Sequence, residues 1–240
     1  MYSMYSKYYD KLNNDYDFWI PFIRSQIPSG LGNGNMIEFG CGTGNVLEKF
    51  RNEYKLAGVD ISENMLKHAI EKLPEAEFFN QDMVHYKSNK KYQVALCLFD
   101  SINHILDFSD WKLLFENVAE LLDEKGVFIL DANTTSRLRM IAKRPAFFSE
   151  FDNNYFYMKL KQNSEANFVF DVRVLKRIDS NIFEEEREEI EETTENGATI
   201  YAALKKVFST VKVFNEKKEE INTNTFDENE KYRWFFSCKK

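Results

Sequence analysis

The stretch "MIEFGCGTGN", Met36–Asn45, places three glycines at alternate positions directly after a short apolar run. Glycine loses more conformational entropy on folding than other residues, so this cluster indicates a turn in which side chains would obstruct something. A strand that leads into such a turn and then into a helix is typical of α/β sheets, which bind ligands at that edge. Gly40, Gly42 and Gly44 are therefore the first candidate ligand-binding residues.

The composition narrows the class of protein. The chain has 240 residues, of which 43% are hydrophobic, and this suits one large folded domain or a domain with an insertion. A net charge of −7 argues against binding of nucleic acid through its phosphates. The cysteines Cys41, Cys97 and Cys238 form no CxxC pair, so no metal site or disulfide framework is predicted. No signal region or membrane-spanning run is evident, and we expect a soluble cytoplasmic protein without a membrane partner.

Apolar runs alternate with helical patterns through the first 135 residues. The predicted strands are "MIEFG", "KLAGVD", "AEFFN", "YQVALCLFD" and "VFILDANT". The predicted helices are "GNVLEKFRNEY", "SENMLKHAIEKL" and "SDWKLLFENVAELLDEKG", the last ending at Gly126. This alternation predicts an α/β fold with a mostly parallel, doubly wound sheet.

The pattern changes after Thr134. The segments "NYFYMKLKQNS", "NFVFDVRVLKRI" and "NIFEEEREEIEETT" predict antiparallel strands, which we interpret as an insertion over residues 135–195. A final helix, "GATIYAALKKVF", and a terminal hairpin are predicted within residues 196–240. We interpret the acidic run "FEEEREEIEETTE" as the solvated face of an edge strand; a preference for basic substrates is the alternative.

Two carboxylates follow the strands after the glycine turn. Asp60 ends the second strand, where its carboxylate can accept hydrogen bonds from the vicinal hydroxyls of a ribose. Asp82 follows the third strand and could accept a bond from the exocyclic amine of adenine. The spacing G-x-G-x-G differs from the G-x-G-x-x-G of dinucleotide folds, which disfavours a nicotinamide oxidoreductase. The pattern therefore predicts an adenosine-type pocket.

At this point the chain resembles class I S-adenosylmethionine-dependent methyltransferases. The segments "EFGCGTGN", "GVDISENML", "NQDM" and "YQVALCLFDSINHI" match successive motifs of that family over residues 36–134. The resemblance implies a seven-stranded Rossmann-like sheet, completed by the terminal hairpin, and S-adenosylmethionine as the cofactor for in-line methyl transfer. It implies these roles: Glu38, Gly40 and Gly42 around the methionine moiety; Asp60 on the ribose; Ile61 and Met65 on the adenine ring; Asp82 on its amine; Met83 through its backbone; Phe99 and Asp100 beside the sulfonium.

A narrower likeness involves both ends of the core. The opening "YSKYYDKLNNDYDFWIPFI" is similar to the N-terminal lid helix of small-molecule methyltransferases, and "FDSINHI" resembles a segment of bacterial sugar amine N-methyltransferases. The likeness implies that Tyr9 is the lid tyrosine and that His104 faces the substrate, where an imidazole could accept the proton of an amine. We therefore expect three parts of the chain: residues 1–134 (lid and cofactor core), 135–195 (substrate cap) and 196–240 (completion of the sheet).

The expected function is methylation of a small molecule, with an amine as the favoured acceptor, by a monomer or homodimer. Three alternatives stay open at this point: a methyltransferase of tRNA or protein, a binding module without turnover, and a nicotinamide oxidoreductase. The first would need a basic surface, which the acidic composition does not predict.

Overall fold

The strands of the protein form two separate sheets. A computed structural model describes residues 2–12, 16, 18–223, 226 and 233–240. Within these residues one sheet has seven strands, and the other has four antiparallel strands. No helix in these ranges combines the length and the apolar character that a bilayer crossing requires.

Five adjacent strands of the larger sheet are parallel to one another. They are β1 (Asn35–Phe39), β2 (Lys55–Asp60), β3 (Glu77–Asn80), β4 (Tyr92–Cys97) and β5 (Leu122–Asn133). Consecutive residues of β1 enter two different hydrophobic clusters, Met36 on one face of the sheet and Ile37 on the other. A parallel sheet covered on both faces consists of nearly continuous apolar runs, so these five strands could be predicted from the sequence.

The helices that precede the fifth strand are α1 (Tyr9–Leu12), α2 (Ile20–Gln26), α3 (Asn45–Glu48), α4 (Glu63–Lys72) and α5 (Phe108–Leu121). The predicted start of α4 is confirmed, because Ser62 caps it and its Oγ accepts a hydrogen bond from the Met65 N–H at 3.3 Å. The helix after the glycines is shorter than predicted: α3 has four residues, and the chain continues in turns. The predicted lid helix is also short, and residues 13–15 and 17 of it lie outside the described residues.

Gly126 does not end the fifth helix, and the prediction was wrong at this point. Helix α5 ends at Leu121, and Leu122 begins β5 by pairing with Tyr92. The pairing of β4 with β5 then shifts register before Val94 meets Val127. The Leu122 side chain is buried, so strand pairing and core packing end the helix before the glycine is reached.

The inserted region begins with a helix that the sequence analysis missed, α6 (Thr135–Lys143), capped by Thr134. Four strands follow: β6 (Phe147–Phe151), also missed, β7 (Asn154–Gln162), β8 (Asn167–Asp179) and β9 (Ile182–Thr193). They form the four-stranded sheet in chain order. Its buried face includes Phe156, Val172 and Ile190, which pack against Met4 and Tyr5 of the N-terminal segment.

The chain returns to the larger sheet through α7 (Gly197–Lys205), β10 (Thr210–Phe214) and β11 (Arg233–Lys239). Strand β11 pairs antiparallel with β5 and with β10, as the resemblance implies. The strand order is β10-β11-β5-β4-β1-β2-β3, so the chain winds outward from β1 in one direction and from β4 in the other. The crevice between the carboxyl ends of β1 and β4 is the place where such sheets bind ligands.

Candidate active site

Two adjoining cavities open at this crevice. The first, which we call the glycine-loop cavity, has a volume of about 230 Å³. Its lining brings together ten of the predicted site residues: Tyr9, Gly40, Gly42, Asp60, Ile61, Met65, Asp82, Met83, Phe99 and His104. Glu38 instead borders a smaller adjacent cavity of about 30 Å³. Gly44 lines neither cavity, because it faces helix α4, where an added Cβ would lie 3.4 Å from the Cβ of Ala69.

The glycine loop brings backbone to the cavity wall. Gly40 and Gly42 have φ angles of +69° and +53°, in the left-handed region that side chains disfavour. A Cβ on Gly40 would lie 2.6 Å from the Cβ of Ser101, whereas a Cβ on Gly42 would meet nothing within 4 Å. Gly40 therefore permits close packing within the protein, and Gly42 keeps open a space that lines the cavity.

Asp60 is held in place by two backbone hydrogen bonds. Its Oδ2 accepts from the N–H of Gly42 and its Oδ1 from the N–H of Ser62, both at 2.8 Å. Burial raises the pKa of Asp60, and these two bonds oppose that shift. Each carboxylate oxygen can accept more than one hydrogen bond, so both remain able to accept from a ligand's hydroxyl groups.

Glu38 is a buried carboxylate with one oxygen unused within the described structure. Its side chain is 3% exposed, and Oε2 has no hydrogen-bond partner there. Burial, together with the charge of Asp60, raises the pKa of Glu38 well above its usual range, while the Leu47 N–H lowers it. An unpaired buried acceptor is costly, so this oxygen indicates a place where a ligand can donate a hydrogen bond.

The end of β4 carries a strained turn. Phe99 and Asp100 are consecutive non-glycine residues with φ angles of +55° and +56°. Phe99 lies against the ring of Trp19, with 4.3 Å between ring centroids, and the Asp100 N–H donates to Asp131 Oδ2 at 3.0 Å. Strain of this kind persists where the surrounding structure holds it, and it concentrates at functional sites.

The hydrogen bonds of His104 determine which of its nitrogens carries a proton. Nδ1 lies 3.0 Å from the carbonyl oxygen of Glu191, which can only accept, so Nδ1 is the protonated nitrogen. In the neutral ring Nε2 is then the acceptor, and it receives the Tyr2 hydroxyl at 2.9 Å. Tyr2 was not predicted from the sequence; it borders both cavities and reaches His104 only through folding of the N-terminal segment.

The N-terminal segment covers the site and is anchored at both ends. At the core end, Asp10 accepts hydrogen bonds from Thr43 Oγ1 at 2.5 Å and from Lys72 Nζ at 2.9 Å. At the other end, the carboxylate of Glu188 accepts from three successive backbone N–H groups of residues 3–5. Tyr9 belongs to this segment and lines both cavities, and burial raises the pKa of its hydroxyl well above the usual range.

The acidic run of β9 is therefore only partly a solvated face, and our interpretation needs correction. Strand alternation places Glu186, Glu188 and Glu192 on one face and the exposed Glu189 and Glu191 on the other. Glu186 accepts a hydrogen bond from the Tyr8 hydroxyl at 3.0 Å, and Glu192 is 2% exposed. One face of the run thus contacts the N-terminal segment and the protein interior.

The second cavity, which we call the aromatic cavity, also has a volume of about 230 Å³. It shares Tyr2, Tyr9, Phe99 and His104 with the glycine-loop cavity. The rest of its wall is mostly apolar, with a polar end formed by Asp100, Glu192 and Arg233. The sequence analysis missed Glu192 and Arg233, because neither stands in a recognisable motif.

The residues at these cavities can be compared with the groups that S-adenosylmethionine would present to them. An adenosyl group requires hydroxyl acceptors and an apolar surface, which Asp60 and the 61% exposed Ile61 provide at the glycine-loop cavity. The unpaired Oε2 of Glu38 can accept from the amino group of a methionine moiety. The space in front of Gly42 admits backbone contact. The residues present therefore fit this cofactor.

Comparisons with known proteins agree with this fit. Residues 36–126 match the family model described as a methyltransferase domain. A crystal structure of an S-adenosylmethionine-dependent methyltransferase from Clostridium acetobutylicum ATCC 824 superposes with a TM-score of 0.79 at 25% identity, covering 99% of this chain and 98% of that one.

Two curated relatives are similar in sequence. A Geobacillus sp. (strain WCH70) protein that carries a methyltransferase name is 29% identical over 187 residues, covering 72% of this chain and 75% of the relative. The dTDP-3-amino-3,4,6-trideoxy-alpha-D-glucopyranose N,N-dimethyltransferase of Streptomyces venezuelae is 29% identical over 110 residues, 45% of each chain. Sheet order, domain match and relatives agree with the geometry of the glycine loop: residues 36–126 form a methyltransferase domain, and the chain has the fold of class I S-adenosylmethionine-dependent methyltransferases.

Proposed function

We propose that this methyltransferase transfers a methyl group to an amino group of a small molecule bound in the aromatic cavity. The observation that carries the proposal is His104, whose Nε2 is the unprotonated nitrogen at the boundary of the two cavities. An amine must lose a proton before it can attack a methyl group, and an imidazole can accept that proton near neutral pH.

We assign the cofactor to the glycine-loop cavity, with Asp60 on the ribose, Glu38 on the methionine amino group and Asp82 at the adenine. When bound, S-adenosylmethionine supplies a methyl group on a sulfonium. Asp82 is exposed at this cavity and already accepts a hydrogen bond from the Val84 N–H at 2.9 Å, which orients its carboxylate.

The protein's own groups then prepare the acceptor. The Tyr2 hydroxyl occupies Nε2 of His104, and an amine N–H can take its place. His104 would accept the proton of the acceptor's ammonium group, which would leave the nitrogen lone pair free for the methyl group that bound S-adenosylmethionine would supply. Tyr2, Tyr9 and Phe99 surround this position with aromatic surface that excludes water.

Two further observations support a small acceptor. The N-terminal segment forms part of the aromatic cavity's wall, so the acceptor must fit a space of about 230 Å³. The curated Streptomyces venezuelae relative is named for N,N-dimethylation of an amino sugar nucleotide. The net charge of −7 gives no support to a tRNA substrate.

A labelling experiment tests the proposal. The protein is incubated with methyl-labelled S-adenosylmethionine and three fractions from the source cells: small metabolites, tRNA and protein. We expect label in the small-metabolite fraction, and we expect it to disappear when amines in that fraction are first acetylated. Label that survives acetylation, or that enters only tRNA or protein, contradicts the proposal.

Variants of His104 test its role. His104→Gln should lower kcat by about 10²- to 10⁴-fold, the usual contribution of a general base, without weakening the binding of S-adenosylhomocysteine. His85→Gln is the matched control, because His85 is an exposed histidine that lines neither cavity. An unchanged kcat in His104→Gln would contradict the role of His104 as the general base.

A further inference from the structure

The polar end of the aromatic cavity contains two carboxyl groups in contact. Asn133 Nδ2 donates to Asp100 Oδ2 at 2.8 Å and to Glu192 Oε2 at 3.3 Å, so one amide nitrogen bridges both side chains. The Asn133 amide therefore holds the Asp100 and Glu192 carboxyl groups side by side at this end of the cavity.

The charges around this pair do not balance. Arg233 forms ion pairs with Asp100 at 2.9 Å and with Asp131 at 2.7 Å. Three carboxyl groups therefore face one guanidinium. The Lys218 ammonium also interacts with Asp131 and Arg233, and burial lowers the pKa of Lys218 to about 7, so this second positive charge is only partly present near neutral pH. The Tyr2 hydroxyl and the Asn133 amide also lie near the pair, and His104 lines the same cavity. Burial, followed by the charge of Asp100, raises the pKa of Glu192 well above its usual range.

Aromatic rings form another part of the wall of the same cavity. The rings of Tyr2, Tyr5 and Tyr9 are mutual neighbours, with centroid distances of 6.0, 6.4 and 5.5 Å. All three residues line the aromatic cavity. The faces of such rings attract cations, and cages of aromatic side chains bind ammonium groups. The tyrosines thus indicate the same kind of ligand as the carboxyl pair.

We infer that Asp100 and Glu192, together with the three tyrosines of the same cavity, select acceptors that carry a positively charged ammonium group. This inference rests on the proposed function, which it deepens by naming the residues that choose the substrate. An anionic acceptor would meet uncompensated negative charge there. An uncharged acceptor would leave the cluster's excess charge without a partner.

Binding of the cation has a proton balance. In the free protein the raised pKa of Glu192 favours its protonated form. When an ammonium group enters, Glu192 can ionise, the proton passes to solvent, and both carboxylates accept hydrogen bonds from the ligand's N–H groups. The complex therefore binds one ammonium ion and releases up to one proton, and no covalent bond changes.

The test uses three probes of the same ring shape: cyclohexylamine, cyclohexanol and cyclohexanecarboxylate. Each is titrated by calorimetry at pH 7 into the protein saturated with S-adenosylhomocysteine, in two buffers of different ionisation enthalpy. We expect cyclohexylammonium to bind about 10- to 100-fold more tightly than cyclohexanol, the usual range for hydrogen bonds to a charged group. We expect the carboxylate to bind least, and proton release on binding of the amine.

Glu192→Gln provides the decisive variant, because glutamine has the shape of the protonated carboxyl group but cannot ionise. It should bind cyclohexanol as the wild type does, while losing the preference for the amine and the proton release. Glu189→Gln is the matched control on the exposed face of the same strand. Asp100→Asn serves as a second variant should Glu192→Gln melt at a much lower temperature.

Equal binding of amine and alcohol by the wild type would overturn the inference, and so would an unchanged preference in Glu192→Gln. These titrations involve no turnover, so their failure is distinct from failure of the proposed function. If the amine preference is absent while labelled amines still form, the proposed function stands without this inference. If S-adenosylhomocysteine does not bind, the proposed function itself fails.

Discussion

Alanine substitutions at two neighbouring glycines should differ in their main effect, which is on folding stability at one position and on cofactor binding at the other. Gly40 and Gly42 both have positive φ angles, so alanine costs about 1–2 kcal/mol of backbone strain at either position. Their surroundings differ: at Gly40 the new Cβ would lie 2.6 Å from Ser101 Cβ, and at Gly42 it would stand in open space beside the cavity. Gly40→Ala should therefore affect folding most, and Gly42→Ala should affect cofactor binding most.

The magnitudes follow from these contacts. For a chain of this length a loss of 1 kcal/mol lowers the melting temperature by about 2–4 °C, so backbone strain alone should lower that of Gly42→Ala by about 2–8 °C. The overlap in Gly40→Ala adds the usual cost of overpacking, about 1–3 kcal/mol. If the methyl group of Gly42→Ala meets bound cofactor, a similar cost weakens cofactor binding by about 5- to 150-fold.

The assays are thermal unfolding of the cofactor-free protein and calorimetric titration with S-adenosylhomocysteine. Cofactor must be absent from the melts, since a ligand stabilises the folded state by mass action. A double-mutant cycle with Ser101→Gly isolates the overlap: Gly40→Ala should couple to it by about 1–3 kcal/mol, and Gly42→Ala should not. The reasoning is refuted if Gly42→Ala binds S-adenosylhomocysteine normally, or if Gly40→Ala shows no coupling.

Two further predictions concern the N-terminal segment and the second sheet. Glu188→Ala removes the acceptor of three backbone N–H groups in residues 3–5, so trypsin should cleave after Lys7 about tenfold faster or more, and Glu189→Ala should not change the rate; equal rates would argue against this anchor. The guanidinium of Arg173, with Lys161 and Arg187, holds the pKa of Asp171 well below its usual range. A carboxyl group whose pKa is lower in the folded than in the unfolded protein contributes stability at pH values above its unfolded pKa. The free energy of unfolding of the wild type should therefore exceed that of Asp171→Asn by about 2 kcal/mol at pH 7, and this difference should shrink as the pH falls below about 4. Urea unfolding of both proteins between pH 7 and pH values below about 4 measures this difference in stability. A difference that does not change with pH contradicts the ion-pair explanation.

Local sequence was sufficient to predict the part of the site that lies in one continuous region of the chain. The glycine turn, Asp60 and Asp82 each follow a strand, and parallel strands place their carboxyl ends at a common edge. Their side chains therefore converge whatever the rest of the chain does. Spacing along the sequence predicted this convergence, and the glycine-loop cavity contains these residues.

Local pattern was insufficient where two structural preferences competed. The segment before Gly126 has helical periodicity, yet Leu122 pairs with Tyr92 and becomes strand. The acidic run of β9 has the composition of a solvated edge, yet alternation turns Glu186 and Glu188 toward the N-terminal segment. Strand pairing and tertiary contact outweigh propensity in both places, and neither is visible in a window of neighbouring residues.

The sequence by itself determined the class of the fold and the cofactor's side of the site, because both depend on short motifs with their own backbone geometry. Only the tertiary structure decided the aromatic cavity, in which we propose that the acceptor binds. Tyr2, Glu192 and Arg233 come from the first residues, the inserted sheet and the last strand, and they meet in one cavity. The physical reason is that a buried charge is tolerated only beside its partners, and for Arg233 and Asp131 the partners are 102 residues apart in the chain.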